Sequence, residues 1–441
     1  MKIKGLLLTV VLQFALVHAL QAAKINLDEC ISLARSNYPT IKKLEIIRIT
    51  ENCDLSNASS SKLPSVKLGI WAGWTNRNPD INDIYSNTKD AALKEYYRKI
   101  LEDEWNVLSP IPWEYNAKVE VSQNIYDGGL SSALKGEAKA KAELQESEVS
   151  STLEVVEKKV EELYFSILLL TDRKKQMDVQ MEVLERNKKK LSDLERSGNG
   201  SVLSVKMIQA EIISLNQQEN VLKGNLTAYR QSLSLFVGKD ISQMELELPG
   251  MPDADSKSIY DTPAMKIIDS RINVVKASMK TLDASLKPQI ALVGEMAYGY
   301  PGRSIFKSVV SHNPELNLAL GIKIAWNLTP FYTKKNDALK LQNQIRLLDI
   351  ERESLLFNTR IDNSSLNMQI SEMKNTLKQD EELLALRKEI RQIEEARLEN
   401  GVIDAGSFLD KVSEETKVAL AKSIHSIELL QCYRNLKSLS Y

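Results

Sequence analysis

Histidine and cysteine are scarce in this sequence, glycine and proline are thinly spread, and neither sign of charge prevails. Each shortage removes a class of function. Of 3 histidines in 441 residues, His18 falls in an N-terminal leader, which leaves His312 and His425 far apart and in no metal-ligand spacing. No nucleophile-elbow or paired-carboxylate constellation occurs either, so the chain is read as a non-enzyme without cofactor or metal. The 58 basic residues against 59 acidic ones supply no excess for binding phosphates, which argues against a nucleic-acid partner. Three cysteines in an exported chain cannot all pair. If one helix carries both Cys30 and Cys53 they lie ~35 Å apart, and Cys30 with Cys432 is the pairing left open.

Long apolar runs are also missing. After the first 23 residues no stretch of ~20 apolar residues exists that could span a bilayer as a helix. Residues 1–23 combine Lys2 and Lys4 with a mostly apolar run from Gly5 to Val17 and small residues at Ala19, Ala22 and Ala23, the pattern of a secretory signal peptide. Asp28 and Glu29 stand beside Cys30 where a lipid-anchor box requires small residues.

What is present in abundance is helical periodicity. Gly129 to Arg196 reads as one helix roughly 100 Å long. Val149, Leu153, Val156, Val160, Leu163, Ile167 and Leu170, then Met177, Met181 and Leu184, recur at steps of three and four, a coiled-coil seam. Ser197-Gly198-Asn199-Gly200 turns the chain back. A second seam follows through Val205, Ile208, Ile212, Leu215, Leu222, Leu226, Tyr229, Leu233 and Phe236. The two segments make a long antiparallel hairpin over 129–236.

The unit occurs twice. One offset carries Asn124 onto Asn327, Ile125 onto Leu328 and Gly198 onto Gly401 without a gap. The second hairpin covers 334–440, with a long helix from Lys334 to Glu399, a turn at Asn400-Gly401 and Asp404 as N-cap of the return helix. Residues 24–236 and 262–441 are thus two structural repeats. Each opens with a helix: Leu27 to Ser59, with Leu27, Ile31, Ala34, Ile41, Leu44 and Ile47 on its apolar side and a kink at Pro39, heads the first.

Between helix and hairpin the period changes to two. Val66, Leu68, Ile70, Ala72 and Trp74 alternate with Lys67, Gly69 and Gly73; Tyr115, Ala117, Val119 and Val121 follow after an insert over 75–112. The second repeat has Ile290, Leu292, Met296, Tyr298 and Tyr300, then Leu316 to Trp326 in the same alternation. Strands of about ten residues cross a tilted bilayer. All five tryptophans fall in the strands or the insert, as an interfacial belt requires; Trp71, Trp74, Trp113, Tyr298, Tyr300 and Trp326 are the membrane-interface candidates. Lipid forbids an open edge, and four strands do not close alone. Three protomers would give a twelve-stranded barrel.

At this point the chain resembles the TolC-type outer-membrane efflux proteins, over essentially the whole mature sequence. The resemblance rests on Leu27-Asp28-Glu29-Cys30-Ile31-Ser32-Leu33-Ala34, the Leu63-Pro64 break, Ser122-Gln123-Asn124-Ile125-Tyr126-Asp127-Gly128-Gly129 and Glu399-Asn400-Gly401-Val402-Ile403-Asp404. It implies a mainly α, trimeric channel-tunnel with transmembrane β-strands in the outer membrane of a Gram-negative bacterium and a large periplasmic portion. It also implies a periplasmic adaptor and an inner-membrane pump or ABC exporter as partners, in multidrug efflux or type I secretion. In such a tube two shorter helices stacked end to end match one long one, and Leu27–Ser59 plus Val202–Phe236 have the required summed length. Residues 237–261 become an equatorial belt, with one short strand over Met244, Leu246 and Leu248. A periplasmic adaptor is the alternative reading, but it would carry a single hairpin flanked by small β-domains.

The resemblance further implies that the hairpin tips, at Gly198, Gly200, Asn400 and Gly401, meet the adaptor, and that the residues after them line a closed entrance. Asp410 matches a family aspartate that forms a ring at the constriction. Ser204, Leu398, Ile403 and Ser407 replace the charged and hydrogen-bonding residues of the best-studied lock, so apolar packing of Leu398, Ile403 and Phe408 is expected to hold the tip shut. The insert, helical over Asp90 to Trp105, would lie outside the cell with 301–314, as a variable surface loop, a lid or a partner site.

Overall fold

The computed structural model describes residues 24–74, 89–103, 113–198, 200–250, 259–303 and 313–439. The leader, Trp105, Asn199, His312 and the flanks of the insert helix lie outside them. In chain order the elements are β1 (Lys24–Ile25), α1 (Leu27–Asn37), a 3-10 turn (Pro39–Lys42), α2 (Lys43–Ser60), β2 (Ser65–Trp74), α3 (Ala91–Asp103) and β3 (Trp113–Tyr126). They continue with α4 (Leu130–Arg196), α5 (Val202–Val237), β4 (Glu245–Leu246), α6 (Pro263–Ser285), β5 (Gln289–Tyr300), β6 (Glu315–Ala325), α7 (Lys334–Glu399) and α8 (Ala405–Leu439). No helix among the described residues is long and apolar enough to cross a membrane.

Two compact units divide the chain. The first comprises residues up to Ile47, Glu143–Ser270 and Leu347 onward. Its cores are the seams read from the sequence. Val156, Val160, Tyr164, Phe165 and Ile167 of α4 pack with Ile25, Leu27, Cys30, Leu233 and Ile241. Further along, Met177, Leu184 and Leu191 pack with Ile208, Ile212, Leu215 and Leu222 of α5, and with Leu398, Phe408 and Val412. Tyr229, expected in the seam, is 40% exposed.

Pro39 does more than kink the first helix. It lacks the N–H that a helix interior needs, and α1 ends at Asn37 with a 3-10 turn before α2 begins. At this break Asn37 Nδ2 donates to the carbonyls of Leu235 and Phe236 at 3.1 Å each, and the Tyr38 and Phe236 rings stack at 6.3 Å. The C-terminus of α5 therefore abuts the C-terminus of α1, with Gly238 in the left-handed conformation as its cap. Of the short strand expected over Met244, Leu246 and Leu248, only Glu245–Leu246 is formed, as β4, and it pairs in parallel with β1, Lys24 opposite Glu245 and Ile25 opposite Leu246. Tyr164 ties both, its hydroxyl within 3.0 Å of Ile25 O and 2.7 Å of Glu247 O.

The three cysteines are free, which closes the Cys30–Cys432 option. Cys30 is buried, and that burial pushes its thiol up to about 12.

The second unit comprises Arg48–Ala142 and Arg271–Arg346. Its centre is an antiparallel four-stranded sheet in the order β2-β3-β5-β6. The registers run Ser65–Trp74 against Ser122–Trp113, Tyr115–Tyr126 against Tyr300–Ile290, and Gln289–Gly299 against Ala325–Glu315. The insert contains the expected helix, α3, with Asp90 Oδ1 accepting from the amides of Ala92 and Leu93.

Candidate functional site

Strand registers sort the sheet into two chemically distinct faces. On one lie Val66, Leu68, Ile70 and Ala72; Ala117, Val119 and Val121; Leu292, Gly294 and Met296; and Leu316, Leu318, Leu320, Ile322 and Ile324. Leu320 is 81% exposed and Ile70 77%. A soluble sheet would bury such a face against a second layer, whereas a membrane sheet turns it to lipid.

Trp74 and Trp113 are register partners on this face, at the strand ends remote from α2 and α6. Tyr115, Tyr298 and Tyr300 stand beside them, with the Tyr115 and Tyr300 rings 6.3 Å apart. Trp326 marks the other end, its Nε1 donating to Leu286 O at 3.0 Å and its ring edge-on to Phe331. From Leu316, which pairs with Tyr298, to Trp326 is ~33 Å of strand at ~3.3 Å per residue. A tilt of ~40° reduces that to ~25 Å, the height of an apolar barrel band.

Trp71 does not belong to this belt. Its register partner is Asn116, so it sits on the opposite face with Lys67, Lys118, Glu120 and Glu295. There Lys118 Nζ lies 2.7 Å from Glu295 and 3.5 Å from Glu120.

The hairpin turns form a second candidate surface. Gly401 has φ of 70° and its N–H donates to Leu398 O, while the Val402 N–H donates to Arg397 O, a Schellman cap. Gly198 has φ of 77° and its N–H donates to Glu195 O. A methyl group on Gly200 would stand 2.5 Å from the Glu195 amide nitrogen. Asp404 caps α8 as expected, accepting from the Ser407 amide at 2.8 Å, a bond that holds its carboxyl below the usual range.

The structure brings Leu398, Ile403 and Phe408 to one apolar cluster and leaves Asp410 and Ser407 at the surface. Leu398 and Phe408 are buried within the protomer, Phe408 completely, among Val412, Ile208 and their neighbours. With Ile403 packed against the same cluster, they join the second hairpin to the first within one protomer. Asp410 and Ser407 are exposed, and Ser204 and Ile403 are half-buried.

A ladder of polar contacts joins α4 to the second hairpin. Asp172 and Gln176 bond Ser423 of α8, Gln176 Nε2 also donates to Ala419 O at 3.3 Å, and Gln180 accepts from Thr416 at 3.4 Å. Asn187, 1% exposed, donates to Glu395 Oε1 of α7 at 3.0 Å. Lys190 pairs with Glu399. Glu395 in turn accepts from Arg391 Nη1 at 2.7 Å, and Arg391 Nε reaches Glu415 of α8. Asp172, Gln176, Gln180, Asn187 and Lys190 share one helical stripe.

No protein-family model and no curated protein sequence matches the chain. Solved structures do. The outer membrane protein VceC of Vibrio cholerae aligns with a TM-score of 0.67 at 11% identity, covering 94% of this chain and 96% of its own. Its fold is that of the TolC-type outer-membrane channels. The outer-membrane channel OprN aligns with a TM-score of 0.67 at 13% identity over 94% and 89% of the two chains. For the CmeC channel of Campylobacter jejuni the values are 0.65, 12%, 94% and 85%. Likeness at this identity concerns the backbone, and the channel fold therefore rests on the order of elements and not on shared side chains.

Proposed function

We propose that this chain is one protomer of an outer-membrane efflux or secretion channel. The observation that carries the reading is the sheet: a continuous apolar face across four strands, with β2 and β6 each paired on one side only among the described residues. Unpaired strand edges in lipid cost several kcal/mol per backbone group, so the edges of β2 and β6 join those of other copies, and three copies make a twelve-stranded homotrimeric barrel. The polar face then lines water, and the apolar face meets outer-membrane lipid between two aromatic levels.

On this reading the repeats over 24–236 and 262–441 supply the helical hairpins of a periplasmic conduit, with 237–261 as its equatorial linker. The tips at Gly198, Gly200, Asn400 and Gly401 dock a periplasmic adaptor, which couples the conduit to an inner-membrane pump or ABC exporter. Asp410 and Ser407 face the entrance, where three carboxylates around a narrow pore favour cations. Asn187 and Glu395, together with the apolar packing of Leu398, Ile403 and Phe408, keep the second hairpin against the first and hold the tip shut. Cargo is carried through unchanged. The adaptor alternative is not favoured, because it offers no use for a duplicated strand pair.

Extraction from outer membranes in mild detergent, followed by light scattering, tests the proposal. A mass three times that of the protomer is expected. A soluble monomer released by osmotic shock would overturn it.

A further inference from the structure

The polar face of the sheet carries an arrangement that a passive water-lined wall does not require. Trp71 is 53% exposed there, and its ring lies across Gly73: a methyl group on Gly73 would stand 2.6 Å from Cζ2 and 3.1 Å from Cη2. The ring thus rests on backbone that glycine leaves bare. The register partner of Gly73 is Glu114, on the same face, and directly opposed residues have Cβ positions ~5 Å apart. Glu114 makes no ion pair or hydrogen bond among the described residues, in contrast to Lys118, Glu120 and Glu295, which satisfy one another lower on the same face. The row of Trp71 continues through Asn116 and Gly299 to a second carboxylate, Glu315.

An aromatic face bordered by a carboxylate is the chemistry that recognises an organic cation. The ring quadrupole attracts the positive charge without demanding a hydrogen-bond donor, and the carboxylate adds a Coulomb attraction that a barrel wall screens less than open water does. A strongly hydrated small cation gains little from the ring, and an organic anion is repelled by Glu114.

We infer that Trp71 and Glu114 form a recognition point for organic cations on the inner wall of the barrel, one in each protomer. This rests on the barrel reading, which turns the polar face inward. The point lies near the outer end of β2, so cargo meets it late in transit. Its binding is weak, as a conduit requires for release.

The test uses the purified full-length protein in planar lipid bilayers. Tetrabutylammonium added on the side of the barrel mouth should reduce the potassium chloride conductance of the wild type in a concentration-dependent manner, and benzenesulfonate at equal concentration should not. Trp71→Ala should raise the half-blocking concentration about tenfold, Glu114→Gln severalfold, and Trp71→Phe less than Trp71→Ala, with unblocked conductance retained in each. Equal block of wild type, Trp71→Ala and Glu114→Gln, or equal block by the anion, overturns the inference while leaving the channel intact. A wild type that forms no conducting pore at all overturns the barrel reading, and the inference with it.

Discussion

Glu395→Ala is the substitution that most directly probes how the two hairpins are held together. Glu395 Oε1 accepts from Asn187 on α4, its Oε2 accepts from Arg391, and Arg186 Nε lies 3.7 Å away. Asn187 is 1% exposed and the Arg391 side chain 10%, so water does not replace what the mutation removes. Each charge-assisted bond of this kind contributes about 1.5–3 kcal/mol, and breaking a buried ion pair outright costs about 3–5 kcal/mol. Two partners soften the loss: Arg391 keeps Glu415, and Asn187 Nδ2 keeps its 2.9 Å bond to Val183 O. Only the Asn187 hydrogen bond crosses from α4 to α7, the Arg391 bond being i,i+4 within α7, so the cost to docking is about 1.5–3 kcal/mol, roughly a ten- to hundredfold change in the docking equilibrium between α7 and α4.

Two readouts report that equilibrium. Hydrogen exchange in the last turns of α7 should accelerate relative to the first hairpin, and single-channel conductance in a planar bilayer should rise or flicker. Glu395→Gln keeps an acceptor but not the charge, and should fall between wild type and alanine in both. Unchanged exchange together with unchanged conductance in an intact trimer would refute the claim that this cluster holds the hairpins.

Four further expectations follow from the same structure. Phe408→Ala empties a fully buried site and should cost about 3–5 kcal/mol, read as a lower thermal midpoint, whereas Ile403→Ser, at a half-buried side chain packed on the same cluster, should cost less, about 1–2 kcal/mol. Leu320→Arg places a charge on the apolar face and should abolish outer-membrane assembly, at about 2–4 kcal/mol near the bilayer midplane; Ala319→Lys, on the polar face, should assemble normally in the same fractionation assay. Burial raises the Glu161 carboxyl, opposed by Arg434; a raised carboxylate stabilises the fold below the ordinary carboxylate pKa and loses that contribution as pH rises through the folded value. Glu161→Gln should therefore raise the thermal midpoint at neutral pH and have no effect near about pH 4. Gly401→Ala must hold a side chain at φ of 70° and should cost about 1 kcal/mol, measurable by denaturant unfolding.

What could be read in the sequence was whatever repeats at a fixed period. The α7 bounds agree because an apolar seam and a glycine stop are local signals, and the strands were legible because Val66, Leu68 and Ile70 alternate without interruption. β1 escaped notice because two residues in a parallel pairing with Glu245 and Leu246 have no period at all. Trp71 was misassigned for a related reason: counting tryptophans in strands says nothing of parity, and parity alone sends Trp71 and Trp74 to opposite faces. The partners of Phe408 in the first hairpin were likewise not legible, since in one dimension an apolar residue near a tip shows nothing of which helices it meets.

Polar residues on α4 hold the most informative contrast. Along this helix the stripe toward α5 is apolar, Met177, Leu184 and Leu191 meeting Ile208, Ile212 and Leu215, while the stripe toward the second hairpin runs through Asp172, Gln176, Gln180, Asn187 and Lys190. Apolar seams lose their whole transfer energy when separated, but hydrogen-bonded groups that come apart are re-satisfied by water, so the net cost is only about 0.5–1.5 kcal/mol per neutral bond. The first hairpin is fused along its length, whereas its junction with the second is mixed: polar contacts at Thr416, Ala419 and Ser423 that can break singly lie between apolar contacts at Val412 and at Ile427. If the hairpins move against each other, they move along that junction. Replacing Gln176 and Gln180 together with leucine would turn it apolar, and such a variant should keep its trimeric mass and gain thermal stability while losing export activity in cells. Retained export in the double variant would mean that this junction never opens.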